Sequence, residues 1–171
     1  MTESTDSSSG NHAPEALPGK RITAIHCLLI PLHGEMLLLP NAAVAEVVAY
    51  SEPESIADAP DWLLGKVLWR DHTVPLISFE RASGGSAGAN REGARIAVLN
   101  TLNSNPDVPY VAVVIQGIPH LQVVAPDTIT ENKDAIAQRP SVLAQVLVEG
   151  QEVLVPDLDS LEQRIASLQG N

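Results

Sequence analysis

Short apolar runs separated by turn residues limit what this chain can fold into more than any other feature of its sequence. From Ile22 onward the runs recur at the spacing of about 8–12 residues that is typical of an all-β sandwich or barrel. In the later part, five predicted strands are RIAVLN, YVAVVIQ, HLQVVA, SVLAQVLV and EVLVP. We therefore expect a mainly β fold in which the second half forms a second small barrel or sheet.

The first half contains a predicted hairpin and a predicted strand. AIHCLLIPL and EMLLLP flank His33-Gly34, a two-residue link that suits a tight hairpin because glycine reaches positive φ. AVAEVVAY, residues 43–50, has β-branched valines that favour a strand, although Val44, Val47 and Val48 also match a helical stripe. We prefer the strand.

Two further local predictions concern residues 58–79. DAPDWLLG, residues 58–65, predicts one helical turn, with Asp58 or Asp61 near its start, Pro60 in the first turn and Gly65 closing it. Pro75 lies inside the second strand of LLGKVLWRDHTVPLISF, and proline cannot donate to a ladder, so that strand should be an edge strand or a bulged one.

The C-terminal segment DLDSLEQRIASL predicts an amphipathic helix with an Asp near its start. Its apolar residues stand at helical spacing and are Leu158, Leu161, Ile165 and Leu168. We expect this stripe to pack against the sheet.

Composition sets the domain organisation. Residues 1–20 are rich in Ser, Gly, Pro and acid, which predicts a disordered tail. Residues 21–168 should then form a single domain, with a flexible loop at 81–93, RASGGSAGANREG.

The charge balance argues against two classes of partner. The chain of 171 residues has 10 Lys and Arg against 21 Asp and Glu, a net charge of −11, which opposes nucleic-acid binding and binding to anionic membranes. We find neither a signal-peptide pattern nor an apolar run near the length of a spanning helix. With one cysteine, Cys27, these features predict a cytoplasmic protein.

The sequence offers little that resembles catalytic or metal-binding machinery. GGSAG matches a nucleophile motif around Ser86, but no helical pattern follows it, which favours a loop. Cys27 and His26 are adjacent on a strand and should point to opposite faces, so we expect a buried structural cysteine. The five histidines lack zinc-site spacing. We expect no catalytic residue, no cofactor and no metal.

Two apolar runs are separated by four polar or charged residues, Arg70, Asp71, His72 and Thr73. These residues form either a solvated hairpin turn or a surface that contacts a partner protein. No nucleophile and no phosphate-binding loop lies nearby in sequence. Trp69 should point to the opposite face and belong to the core.

The order of signals from Cys27 to Phe79 resembles the CheW family, the adaptors of bacterial chemosensory arrays. The first likeness is LLLPNAAVAEVV, which is similar to a family segment of the form I-P-x-x-x-V-x-E-I. The residues at or near matching positions are Pro40, Val44, Glu46 and Val47.

The second likeness is GKVLWRDHTVPLISF, which resembles the family segment G-x-x-N-x-R-G-x-x-x-P-x-x-D-L. Gly65, Arg70 and Pro75 stand at the matching spacing, and Phe79 replaces the last apolar residue. The departures from the pattern are Leu68 for Asn, Asp71 for Gly and Ser78 for Asp. This pattern is more similar to the auxiliary, pilus-linked ChpC-type branch than to a general chemotaxis CheW.

The resemblance implies two small five-stranded SH3-like barrels that share a core, with short helical turns and a C-terminal helix. It implies a non-enzymatic adaptor between a CheA-type histidine kinase, through its CheW-like regulatory domain, and the cytoplasmic tip of a methyl-accepting chemoreceptor. The likeness to the pilus-linked branch implies control of twitching motility by type IV pili. The candidate interaction residues are Arg70, Asp71, His72, Glu46 and Gly65. Arginine suits a protein contact because its planar donor fork binds carboxylates and carbonyls.

Two rival functions stay open at this point. A small-molecule-binding β-barrel would need an apolar cavity with convergent polar groups, which an aromatic content of 3% disfavours. A hydrolase would need Ser86 or Cys27 as its nucleophile.

Overall fold

The computed structural model describes residues 24–88, 90–133 and 139–170. The predicted tail, residues 1–20, lies outside them. Within the described ranges the strands are β1 (Ile25–Pro31), β2 (Met36–Pro40), β3 (Val44–Ala49), β4 (Leu63–Trp69), β5 (His72–Ile77), β6 (Arg95–Asn100), β7 (Tyr110–Ile115), β8 (His120–Val124), β9 (Ile129–Glu131), β10 (Val142–Val148) and β11 (Gln151–Pro156). The α-helices are α1 (Phe79–Ala82) and α2 (Leu158–Gln169), and Asn41–Ala43 forms a 3-10 turn.

The strands form two sheets. A six-stranded sheet has the order β8-β1-β2-β11-β10-β9, and a five-stranded sheet has the order β3-β6-β7-β5-β4. The mainly β fold with two sheets and a C-terminal helix is confirmed, while the three-residue strand β9, the short helix α1 and the 3-10 turn are elements that the sequence patterns did not indicate. The prediction that the second half forms its own sheet is wrong, because β2 pairs in parallel with β11 while β6 and β7 join β3, β4 and β5.

Three buried apolar clusters explain how the sheets pack. One cluster lies on strands of the five-stranded sheet and another on strands of the six-stranded sheet, while the third draws residues from both sheets and from α2. Strand β6 shows the alternation that produces this arrangement. Ile96 and Val98 belong to the cluster of the five-stranded sheet, whereas Ala97 and Leu99 belong to the shared cluster. The two sheets therefore share a core.

The hairpin predicted at His33-Gly34 is confirmed. The Leu32 N–H donates to the Glu35 carbonyl at 2.8 Å, which closes the link between β1 and β2, and Gly34 has φ +79°. The strand preferred for AVAEVVAY is also confirmed, as β3.

The helical turn predicted for residues 58–65 is wrong. The chain makes separate turns closed by Ala59 N–H to Ile56 O and by Leu63 N–H to Pro60 O, and β4 begins at Leu63. The physical reason lies in Glu54 and Lys66, whose backbones exchange hydrogen bonds of 2.8 and 2.9 Å. This antiparallel bridge draws Gly65 into a strand rather than leaving it to end a helix.

The edge-strand alternative predicted from Pro75 is wrong, and the irregularity of the β4–β5 ladder lies on the partner strand, where the register shifts between Leu63 and Gly65. Strand β5 lies inside the sheet, between β7 and β4. Its ladder with β7 covers Leu76 and Ile77 only, so Pro75 stands where no ladder hydrogen bond to β7 is needed.

Each of the two helices begins at a residue whose side chain caps its N-terminus. The Ser78 hydroxyl accepts from the Arg81 N–H and starts α1, which takes the first two residues of the predicted loop 81–93. The Asp157 carboxylate accepts from the Ser160 N–H at 3.0 Å and starts α2, which confirms the predicted C-terminal helix. Leu161 and Ile165 of α2 are buried as expected, whereas Leu168 is 41% exposed.

Candidate functional site

The tip of the β4–β5 hairpin is a two-residue turn of defined shape. Trp69 pairs with His72, and Arg70 and Asp71 form the link between them. Both linking residues lie in the left-handed region, with φ of +44° for Arg70 and +63° for Asp71, as a tight hairpin turn of two residues requires. The turn therefore presents the side chains of Arg70 and Asp71 to solvent in a fixed arrangement.

One carboxylate holds the base of this turn. Glu46 Oε2 accepts a hydrogen bond from Trp69 Nε1 at 2.8 Å and lies 3.1 Å from Arg70 Nε. Glu46 belongs to β3 and Trp69 to β4, the two outer strands of the five-stranded sheet. The sheet thus curls until its edges meet at what we call the Glu46 cluster, Glu46 with Trp69 and Arg70.

Aromatic rings support the same cluster from below. The Trp69 ring is buried and meets Tyr110 edge-to-face at 4.9 Å between centroids. The His72 ring packs against Tyr110 at 5.2 Å, and the Arg70 guanidinium carbon lies 5.1 Å from the Trp69 ring centre. Arg70 is therefore positioned by both a carboxylate and an aromatic face.

Arg70 keeps binding capacity free despite these contacts. Its side chain is 68% exposed, and its terminal guanidinium nitrogens make no hydrogen bond to any of the described residues. These nitrogens are the planar fork that binds carboxylates and carbonyl oxygens of a partner.

Of the five candidate residues, the structure brings four to this tip. Glu46 and Arg70 are in contact, and Asp71 and His72 flank them as exposed residues. Gly65 lies further along β4 instead. A Cβ at residue 65 would stand 2.2 Å from the Glu54 carbonyl oxygen, and the φ of Gly65 is +145°. The close approach of the Glu54 backbone therefore explains why glycine occupies this position.

Sequence reasoning missed the polar role of Trp69. It placed the ring correctly in the core but overlooked the indole N–H, which needs an acceptor when the ring is buried. That requirement is the signal that pointed to a carboxylate such as Glu46 nearby. Tyr110 gave no comparable signal, since it reaches the underside of the turn only because β7 pairs with β5 in the folded sheet.

The residues of the rival hydrolase are poorly arranged for catalysis. Ser86 is exposed on the segment after α1 rather than on a strand-to-helix turn. Cys27 is buried while His26 is exposed on the other face of β1, as predicted, and burial raises the pKa of the Cys27 thiol, which disfavours the thiolate. In the part of the chain that the structure covers, no three His, Cys, Asp or Glu side chains are grouped to hold a metal ion.

Comparison with known families identifies the family to which this chain belongs. A model of the CheW-like domain matches residues 26–166. The chain belongs to the CheW-like domain family. Its fold is similar to the crystal structure of the scaffolding protein TtCheW from Thermoanaerobacter tengcongensis, with a TM-score of 0.64 and 15% identity, over 77% of this chain and 88% of that one. No curated protein matches the sequence.

The three departures from the CheW pattern have distinct places in the fold. Leu68 is 77% exposed on β4, beside the tip. Asp71 takes the left-handed conformation that suits the family's glycine. Ser78 is buried, caps α1 and donates its hydroxyl to Glu80 Oε2 at 2.9 Å.

Neither of the helices in the described ranges has the length and apolar character needed to cross a bilayer.

Proposed function

We propose that this CheW-like chain is a non-enzymatic cytoplasmic adaptor that couples chemoreceptors to a CheA-type histidine kinase. Membership of the CheW-like family supports the adaptor class, and TtCheW, which has a similar fold, is a scaffolding protein. The observation that carries the proposal is the exposed, pre-positioned Arg70 above Glu46 and Trp69.

In this proposal the Glu46 cluster is the contact with the kinase. Because the turn is held by the Glu46 carboxylate and the Trp69 ring, little conformational entropy is lost when a partner binds Arg70. The free guanidinium nitrogens bind partner carboxylates or carbonyls, and Asp71 and His72 contact the rim of the same surface. A second surface then meets the cytoplasmic tip of the receptor.

The packed interiors support an adaptor over a ligand-binding barrel. Apolar side chains from each sheet fill its own inner cluster, including Val74, Leu76 and Ile96 in one sheet and Val146 and Val153 in the other. A small molecule inside either sheet would have to displace these side chains.

The proposal is tested by titration calorimetry of the full chain with the CheW-like regulatory domain of a CheA-type kinase from the same organism. Arg70→Glu and Arg70→Ala are compared with Arg91→Glu as a matched control, because Arg91 also lies over an aromatic ring, that of Tyr50, at 5.4 Å. We expect both Arg70 variants to weaken binding by about 1–3 kcal/mol, the range of interface hot spots, and Arg91→Glu to bind like the unmodified chain.

Two results would contradict the proposal in different ways. Absence of binding by the unmodified chain argues against the kinase as the partner. Binding that is unchanged in both Arg70 variants removes the Glu46 cluster from the contact while leaving the adaptor class intact.

The proposal also concerns the type of motility that the signalling system controls. The likeness of the degenerate hairpin motif to the pilus-linked branch supports control of type IV pilus twitching. Deletion of the gene should then reduce twitching on a surface and leave swimming intact. Loss of swimming with normal twitching would assign the chain to a flagellar system.

A further inference from the structure

The outer face of the β4–β5 hairpin carries the most exposed large apolar side chain among the described residues. Leu68 is 77% exposed. Successive residues of a strand point to opposite faces, so Leu68 points away from the buried Trp69 ring and from the Arg70 guanidinium that lies over that ring. The protruding Leu68 side chain therefore belongs to a surface separate from the Glu46 cluster.

A depression of about 450 Å³ lies beside Leu68 on the same face of the hairpin. Thr73, which pairs with Leu68 across the hairpin, is one of the residues that line it. Its walls include the buried side chains of Leu63, Pro75 and Ile165. We call this depression the hairpin pocket. Leu68 does not line it, so a recess with apolar walls stands next to an apolar side chain that does not fill it.

The hairpin pocket also offers one charge of each sign. Lys66 and Asp107 both line it, and both are exposed. Among the described residues, neither forms an ion pair within 4.0 Å. An occupant of the pocket can therefore pair with a cation and with an anion at the same surface.

We propose that the outer face of the β4–β5 hairpin binds a second copy of this chain in a two-fold symmetric contact. Such a contact requires a surface that is complementary to itself. Leu68 of each copy enters the hairpin pocket of the other copy, and Lys66 of each copy pairs with Asp107 of the other. This inference goes beyond the adaptor function proposed above, since it concerns two copies of the chain and involves no kinase.

Other occupants would match this surface less well. An acidic segment of another protein would be repelled by Asp107, and a basic one by Lys66. An apolar small molecule would fill the hairpin pocket and leave Leu68 exposed beside it. A second copy buries Leu68, fills the pocket and pairs both charges. Its net charge of −11 opposes association mainly at low ionic strength, where long-range repulsion is not screened.

The first test is sedimentation equilibrium of the full chain at about 0.15 M salt, where charge repulsion is screened beyond roughly 8 Å. The weight-average mass should rise with protein concentration from the 18.1 kDa of one chain toward twice that value. Leu68→Glu should weaken the association about a hundredfold, because the symmetric contact loses two apolar anchors. Leu121→Glu is the matched control, since Leu121 is 62% exposed on β8 of the other sheet, and it should associate like the unmodified chain.

A charge exchange tests whether Lys66 and Asp107 meet between copies. Lys66→Asp and Asp107→Lys should each weaken self-association about tenfold, since each change places two like-charge pairs in the contact. In an equimolar mixture, a contact between one copy of each variant has two attractive pairs again. The mixture, followed by a fluorescent label on one variant, should associate about as tightly as the unmodified chain. Net charge alone predicts instead that Asp107→Lys, the less negative variant, associates most tightly by itself.

Three results would overturn the inference. They are a mass of 18.1 kDa at every concentration up to about 1 mM, equal effects of Leu68→Glu and Leu121→Glu, and a mixture of the charge variants that associates no better than either variant alone. Because the kinase is absent from these measurements, the self-association and the kinase contact at Arg70 can fail independently.

Discussion

Two arginine–glutamate pairs show how the same chemistry serves different purposes in this fold. Arg139 binds Glu35 through both terminal nitrogens, at 2.6 and 3.1 Å, and also donates to the Ser83 hydroxyl at 2.8 Å. Arg70 meets Glu46 through Nε alone at 3.1 Å. The side chains of the first pair are each 28% exposed, while Arg70 is 68% exposed.

The difference lies in what each arginine joins. Glu35 belongs to the hairpin of the six-stranded sheet, and Ser83 follows α1 at the end of the five-stranded sheet, so Arg139 links the two sheets. Arg139 therefore has few hydrogen-bond donors left for a partner protein. Arg70 is held in place with its terminal nitrogens directed to solvent, which is the arrangement expected of a binding residue.

The largest effect should come from breaking the inter-sheet pair. Arg139→Ala leaves Glu35 and Ser83 without their donor in a half-buried place, and we expect the free energy of unfolding to fall by about 2 kcal/mol in urea denaturation. Arg81→Ala is the control, since Arg81 donates to the Asp61 carbonyl at an exposed site. If both variants lose the same stability, the inter-sheet pair has no special role.

The contrast between the two pairs was only partly accessible from the sequence. The glycine-to-proline spacing around Arg70 and the family likeness indicated Glu46 and Arg70 together, because both belong to local motifs. Nothing local connects Glu35 with Arg139, which are 104 residues apart. Their contact depends on β1 and β2 joining the C-terminal strands, which the alternation of apolar residues does not encode.

The same reasoning explains which elements were misassigned. Apolar strand patterns identified β6, β7 and β11, whereas β3 was preferred as a strand because of its β-branched valines. The helical turn at residues 58–65 was wrong because the bridge between Glu54 and Lys66 overrides local turn preferences. Such bridges form through tertiary contacts, and no local sequence pattern marks the residues that form them.

An intermediate effect should follow from Trp69→Phe. The change removes the indole N–H that donates to Glu46, and we expect a loss of about 1 kcal/mol in unfolding free energy together with weaker kinase binding. Trp62→Phe is the matched control. The Trp62 ring is equally buried, but its nitrogen makes no hydrogen bond to a described residue, so it should reduce stability through packing without affecting the partner. Unchanged kinase binding by Trp69→Phe would show that Glu46 does not position Arg70.

A smaller effect should appear in double-mutant cycles on the two pairs. The coupling between Arg70 and Glu46 should be about 0.3–1 kcal/mol in unfolding free energy, as for exposed pairs, and should diminish as salt is raised. The coupling between Arg139 and Glu35 should be larger and less sensitive to salt, because the pair is bidentate and half-buried. Equal couplings with equal salt dependence would contradict the distinction drawn between the pairs.

The smallest effect concerns the residue that follows Arg70 in the turn. Asp71 has φ +63°, and Asp71→Gly should raise the unfolding free energy by about 0.5 kcal/mol because glycine reaches this conformation without strain. Asp58→Gly is a matched control, since Asp58 is also exposed and has φ +56° but lies outside the Glu46 cluster. Both variants should gain similar stability, so any difference in kinase affinity between them reports the Asp71 side chain itself. Weaker binding by Asp71→Gly alone places the carboxylate in the contact, whereas equal affinities reduce its role to shaping the turn that presents Arg70.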